Sequence, residues 1–385
     1  MDRTTSIAVH FATLPDPRLA RCQVHRLVDI LTISLCAVLV GADDFVAIAL
    51  FGEEKEAWLK TFLALPGGIP SHDTFGRVFA ALEPTAFQTC FLNWVQAVAP
   101  TTGKHIALDG KTLRGSHDRP SGHSALHLVS AWASDAGLVL GQRAVDAKSN
   151  EITAIPALLE VLDLHDVTVT IDAMGCQTAI ASAIVARGGD YVLALKANQG
   201  TLFADVQDTF ALADAEEAAA SHDTRPAASS SSVDHSMTVN KGHGRIEVRR
   251  VTTLTTPAII DHLNPTAAWT NLQCIVRVEA ERRLPEKVER HTRYFLSSST
   301  ANAATHGGFI RDHWTIENQL HWTLDVTFHE DRHRARIGNT AANLATVRHL
   351  ALNLLRKDTT KASTKGKRFK AALNHDYLAR LLAFS

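Results

Sequence analysis

Two aspartates stand where a reactive carboxylate is expected. In IALDGK, Ile106 and Leu108 point to one face of a strand while Ala107 and Asp109 point to the other, and Gly110 follows at once. In VTVTIDAMG, Val167, Val169 and Ile171 share one face and Thr168, Thr170 and Asp172 the other. Each Asp closes an otherwise apolar strand, and open α/β sheets gather their reactive groups at the carboxyl ends of the strands. If the two strands are neighbours, the carboxylates converge. Such a pair suits a hard cation such as Mg²⁺, which takes oxygen ligands and keeps several waters, and a third acid would complete a two-metal site. The competing reading is that each Asp only ends its strand as an Asx-turn former or helix cap.

Glu317 is the preferred third acid. It lies in HWTIENQLHW, where His313, Glu317 and His321 fall four residues apart and would line one helix face, with Trp314 and Trp322 on the neighbouring stripe packing on a core. A solvated face with satisfied histidines is the alternative. Asp325, Glu330, Asp331 and Glu151 compete for the role, although the favourable field at a helix N-terminus already accounts for Glu151. There is no GxxxxGKS/T loop, HExxH, GxSxG or GxGxxG, so ATP hydrolysis, zinc proteolysis and esterase chemistry are not expected.

The elements that must position these groups follow from periodicity. Residues 1–100 read as helical, with apolar residues three and four apart in LVDILTISLCAVLVGA and its successors, and Ser71 or Asp73 as the N-cap of a helix carrying Phe75, Val78 and Phe79. From about Lys104 the period changes to two. HIALDG, ALHLVSAWAS and LVLGQRAVDA read as three strands, followed by alternating helices and strands to about residue 219, with Gly188 closing one helix. That order predicts an α/β fold with a mixed sheet and helices on its faces. A Ser-rich loop at SSSSV, a β-rich insertion to about residue 300, and a helix-rich segment complete the chain. The last thirty residues, with eight Lys and Arg against two acids, read as an exposed basic tail.

Composition bounds the class. With 385 residues, 45% hydrophobic and 21% charged, the chain is long enough for two or three domains and has the make-up of a globular protein. A net charge of −1 gives no global cation excess, yet the stretch from Arg277 to Ser385 holds 19 Lys and Arg against 11 acids. Five scattered cysteines without a C-x-x-C suggest neither disulfides nor a zinc knuckle, and a reducing cytoplasm fits. The N-terminus does not read as a secretory signal, and the apolar run Ile30 to Ala42 would span only ~20 Å as a helix, short of a bilayer core of ~30 Å. No membrane partner is expected.

The strings LPDPR, GIPSHDTFGRVF, IALDGKTLRGS, HLVSAWAS, KSNEITAIPALL, TIDAMGCQ, DYVLALKANQ and HWTIENQLHWTLDVTFHED resemble the insertion-sequence DDE transposases that include the H-repeat-associated proteins. The resemblance runs from about residue 11 to 355. It implies an RNase H-like catalytic core, an all-helical N-terminal domain and a β-rich insertion before the last core helix. The expected parts are 1–100, a DNA-end-binding helical domain; 101–220 and 306–355, the split catalytic core; 221–305, the insertion; and 356–385, the basic tail.

Carried over by motif, the triad is Asp109, Asp172 and Glu317, which would hold two Mg²⁺ ions, with Mn²⁺ as a substitute. The wider superfamily often places Arg four residues before the Glu and Lys seven after. Here those positions are His313 and Leu324, and His313 and His321 are expected to take over phosphate contacts. Lys111, Arg114, Lys196, Asn198 and Gln199 follow the first and last core strands and are expected to contact DNA, with ordinary loop solvation as the alternative. The implied partners are double-stranded DNA, as terminal repeats and target, and a second copy of the chain. The implied reaction is cleavage at element ends and 3′-hydroxyl strand transfer in a bacterial cytoplasm, associated with the nucleoid. A nuclease without strand transfer and an inactive DNA-binding relic are the alternatives.

Overall fold

The computed structural model describes residues 7–98, 104–117, 124–145, 150–220, 233–242 and 244–382. Most of the SSSSV segment lies outside the described residues. The strands are β1 (His105–Leu113), β2 (Leu126–Ala133), β3 (Leu138–Val145), β4 (Thr168–Ile171), β5 (Asp190–Leu195), β6 (Val233–Gly242), β7 (Arg245–Leu254), β8 (Cys274–Arg283) and β9 (Val288–Ser297). They form one mixed sheet in the order β3-β2-β1-β4-β5-β9-β8-β7-β6. The chain divides into two compact units, and the division passes through β1 between Asp109 and Gly110.

The unit of residues 103–109 and 151–315 holds the parallel strands. β1 pairs with β4 and β4 with β5, both parallel. All four residues of β4 are buried, as a strand covered on both faces requires. The helices Glu151–Leu159 and Thr178–Val185 connect these strands, and the second is followed by Gly188 at φ 77°, as its position predicts.

The expected β-rich insertion does not close on itself. Its last strand, β9, pairs antiparallel with β5, and β8, β7 and β6 follow outward in the same sheet. Burial explains this: Phe295, Leu296 and Ser297 at the end of β9 are buried beside β5, whereas the start of the strand is largely exposed. Helix Ala303–Thr315 closes the core of this part through Ala303 and Ile310, packed with Val251, Val276 and Phe295. Gly307 permits the approach, since a Cβ there would stand 3.0 Å from the Val251 side chain.

The other unit, residues 1–102, 110–150 and 316–385, joins the early helices to the last ones and to the β2–β3 hairpin. The N-terminal helices thus share one compact unit with these later elements. Helix Thr340–Lys357 is buried along most of its length, and two of its asparagines tie it to neighbours in this unit. Asn343 Nδ2 donates to the carbonyls of Phe79 (2.8 Å) and Leu82 (2.9 Å), while Asn353 accepts from Val139 N and donates to Val139 O. Helix Leu27–Val40 is the expected buried core helix, and Ser71 rather than Asp73 caps helix His72–Ala81, accepting from Thr74 N.

The basic tail is exposed only in part, at Lys361, Lys365, Lys370 and Arg380. Residues Thr364–Leu373 and His375–Leu382 are helices, and Lys367 and Arg368 are buried. Lys367 Nζ donates to the carbonyls of Leu355 (2.8 Å) and Asp358 (2.5 Å), and Arg368 donates to the carbonyl of Val38 and stacks over Phe328. Their charges serve as caps for backbone carbonyls that the sequence pattern could not reveal. No single described helix is long and apolar enough to cross a membrane.

Candidate active site

The β1–β4 register ends at Leu108↔Ile171, so Asp109 and Asp172 are the next residues on two adjacent parallel strands. Neighbouring strands lie ~4.8 Å apart, which brings the two carboxylates together at the carboxyl edge of the sheet. The β4–β5 pairing ends at Ile171↔Leu193, and exposed Lys196 follows at the same edge.

Asp172 is held by its own turn. Its Oδ1 accepts from the backbone N–H of Met174 (3.0 Å) and Gly175 (3.4 Å), an Asx-turn, and Oδ2 faces no partner among the described residues. The turn needs Gly175, because a Cβ there would stand 2.3 Å from Ile171 Cγ2. The Asn198 and Gln199 amides donate to the carbonyls of Ala173 (2.7 Å) and Cys176 (2.8 Å), so both brace this turn. The Asx-turn expected of Asp172 is thus observed at Oδ1.

Behind the pair lies a buried relay. The Thr170 hydroxyl is 2.8 Å from His105 Nε2 and 2.8 Å from His313 Nδ1. Burial pushes the His313 imidazole down to about 4, against the opposing pull of Asp172, so the ring is neutral at pH 7. His313 is therefore a hydrogen-bonding partner of the sheet and not the cation that its place four before Glu317 suggests.

Glu317 belongs to the other unit. It is exposed and lies in a π-helical segment, Ile316–His321, whereas His313 and His321 are half-buried. The Trp stripe does not pack on a core: Trp314 is 45% and Trp322 59% exposed. Burial holds the His321 imidazole down at about 3, with the Lys111 ammonium acting in the same direction. His321 is neutral as well.

The competing acids of this unit are engaged. Lys111 Nζ donates to Asp325 Oδ1 (2.5 Å) and Glu330 Oε2 (2.8 Å), and Glu330 Oε1 stands 3.8 Å from buried Arg348. Burial raises the Glu330 carboxyl, but Lys111 and Arg348 outweigh it and leave the group below its ordinary value. Burial lowers Lys111, yet the two carboxylates raise it on balance, so its ammonium is neutralised within the protein. Asp331 accepts from Arg114 N at 3.2 Å, while the Arg114 side chain is 85% exposed. Glu317 keeps an unengaged carboxylate among the described residues. In the other unit, Glu151 opens its helix, as expected.

Sequence reasoning missed the buried charge cluster. Its signal was Arg348-His349 set inside an otherwise apolar helix, a doublet that must find partners when buried. Among the described residues no three or more His, Cys, Asp or Glu side chains gather in a metal-holding group. The aspartate pair alone supplies two carboxylates of the oxygen-donor chemistry that hard cations take.

A family model described as Transposase DDE domain matches residues 100–354, and a second, described as DDE_Tnp_1-associated, matches residues 8–95. The chain belongs to the transposase DDE family. Its mixed sheet with flanking helices is consistent with a DDE transposase core. The H repeat-associated putative transposase YhhI of Escherichia coli K12 is 38% identical over 98% of this chain and 97% of its own length. The putative transposase YncI of Escherichia coli O157:H7 is 39% identical over 98% of this chain and 94% of its own length. An uncharacterized protein in the dhlA 3′ region of Xanthobacter autotrophicus is 46% identical over 76% of this chain and 94% of its own length. Transposases of this family act on DNA, and DDE domains generally work with divalent metal ions.

Proposed function

We propose that this transposase cuts DNA at the ends of an insertion sequence and joins the freed 3′-hydroxyl to target DNA, with Asp109, Asp172 and Glu317 as its triad. The observation that carries the reading is the β1–β4 register, which stops at Leu108↔Ile171 and leaves Asp109 and Asp172 as the next residues of the two segments, in a member of the transposase DDE family. Asp109, Asp172 and Glu317 would hold the divalent ions, two Mg²⁺ in this reading, which supply charge stabilisation for phosphoryl transfer. The Asx-turn fixes Asp172 with Oδ2 outward, and the neutral His313 keeps Thr170 and the end of β4 in place without adding positive charge beside the carboxylates.

Cleavage is hydrolysis: water oxygen bonds to phosphorus, the bond to the 3′ oxygen breaks, and the 3′ oxygen leaves with a proton. Joining repeats the displacement with that 3′-hydroxyl as nucleophile on a target phosphate. No side chain forms a covalent intermediate, as positioning and electrostatics dominate this chemistry. Lys196 and Arg114 are exposed cations suited to phosphate contacts, whereas Lys111 is neutralised and Asn198 and Gln199 brace the Asp172 turn. Two element ends must meet, so a dimer on the DNA is the expected assembly.

The test is cleavage and joining of DNA carrying the native element ends, with Mg²⁺ or Mn²⁺ against EDTA. Loss of both activities in folded Asp109→Asn and Asp172→Asn is the expected result. Cleavage that survives either substitution would overturn the assigned pair, and cleavage without joining would reduce the activity to that of a nuclease.

A further inference from the structure

We propose that Arg332, Arg334 and Arg336 form a rail that tracks the phosphate backbone of duplex DNA, at a site separate from the aspartate pair. The proposal rests on the transposase reading only for its choice of polyanion. Arg332 ends a short 3-10 turn, and His333 follows in extended backbone. From Asp331 to Arg336 the exposure alternates strictly: the three arginines are exposed, while Asp331, His333 and Ala335 are half-buried. Past the turn this is the period of two of an extended chain, which sets Arg334 and Arg336 on one face about 6.6 Å apart, with Arg332 at the end of the turn before them.

The backbone beneath the row is fixed. The His333 ring meets Phe45 edge-on, its centroid 6.4 Å away, and His333 Nδ1 accepts from Ala335 N at 3.1 Å. At one end Asn339 N donates to Ala80 O, and Gly338 lies so close that a Cβ would stand 2.5 Å from the same oxygen. At the other end Gly115 lies against the row, where a Cβ would stand 2.2 Å from His333 O. That approach sets the exposed Arg114 guanidinium near the row through its neighbour Asp331.

Arg336 Nε donates to the carbonyl of Gly115 at 3.3 Å, which anchors the Arg336 end of the row. The Arg332 and Arg334 guanidiniums meet no acid among the described residues, and beside them lies a groove of about 1020 Å³ also lined by Arg77 and His72. Three acids also line the groove, each held in place by a neighbour: Asp43 bonds His329 at 2.8 Å, Asp44 caps helix Phe45–Glu54 through Ala47 N, and Asp73 stands 3.4 Å from His72. Exposed guanidiniums on a rigid backbone match a regular line of phosphates, and such contacts carry affinity without sequence preference.

The experiment measures binding of a random-sequence duplex to the full chain across a salt series, in EDTA, by fluorescence anisotropy. Replacing all three arginines by Gln is expected to reduce the slope of log Kd against log salt by about 2.7, at about 0.9 per phosphate contact. The triple Arg→Lys variant is expected to keep the slope, because lysine preserves the charge. An unchanged slope in the Gln variant overturns the rail, as does an equal loss in the Lys variant. Wild type that cleaves element ends but does not bind random duplex overturns the rail alone, and wild type that does neither overturns the transposase function as well.

Discussion

The ammonium of Lys111 donates to Oε2 of Glu330 at 2.8 Å, in a place where the Glu330 side chain is only 2% exposed. A buried charge is tolerated only when paired, and here Asp325 and Arg348 complete the balance. Lys111 is two residues beyond Asp109 on β1, so an ion pair of the protein interior begins where the candidate site ends.

Breaking that pair from one side is expected to be severe. Glu330→Gln leaves Lys111 and Arg348 short of a counter-charge and should cost about 3–5 kcal/mol in urea unfolding. Because Glu330 titrates below its ordinary value of 4.5 when folded, it contributes stability above that pH, which is lost as acid brings the pH down through the folded value. The variant should therefore show a flatter stability profile through the acid range. Equal acid slopes for the variant and wild type would contradict this assignment.

The neutral histidines add a second acid sensitivity. Burial holds His321 at about 3 and His349 at about 4, below their ordinary 6.5. The unfolded chain thus binds protons that the folded unit refuses, and stability falls as the pH drops from about 6.5 toward those values. Each histidine contributes up to ~1.4 kcal/mol per pH unit in that window. Urea midpoints compared at pH 7.5 and 5.5 should fall together with proton uptake on unfolding. A midpoint independent of pH there would show that the rings are already charged in the folded state.

The sequence carried the apolar runs of β1 and β4 plainly, because an apolar run followed by Asp is a local pattern, although β1 continues through Asp109 to Leu113 while β4 stops before Asp172. Helix Leu27–Val40, the Ser71 cap and the Gly188 stop were local too. What it hid was non-local or off-period. Nothing between Ser229 and Ser297 announces that β9 will pair with β5 and so join the β-rich segment to the same sheet. Glu317 came out exposed in a π-helical segment while His313 and His321 are half-buried, and the tryptophans expected in a core came out exposed. Lys367 and Arg368 read as solvating charge because a cation that caps carbonyls leaves no periodic trace.

The two kinds of acid near the end of the chain should separate cleanly. Glu317→Gln removes an exposed, unengaged carboxylate, so DNA cleavage should be lost with a thermal midpoint close to wild type. Asp325→Asn weakens the hold on Lys111 and should lower the midpoint. Were Glu317→Gln to cleave at the wild-type rate, the third acid would have to be sought elsewhere.

Thr170→Val tests the relay behind the aspartates. The side chains are nearly isosteric, but valine leaves His105 Nε2 and His313 Nδ1 without the hydroxyl that bridges them. An unsatisfied buried polar group costs about 1–3 kcal/mol, so a loss in that range is expected in denaturant melts. Thr170 lies two residues before Asp172, and a loosened β4 end should lower the cleavage rate while DNA affinity stays unchanged. Thr170→Ser keeps a hydroxyl and should restore much of the rate. A Val variant that cleaves like wild type would confine the His105–Thr170–His313 chain to a purely structural part.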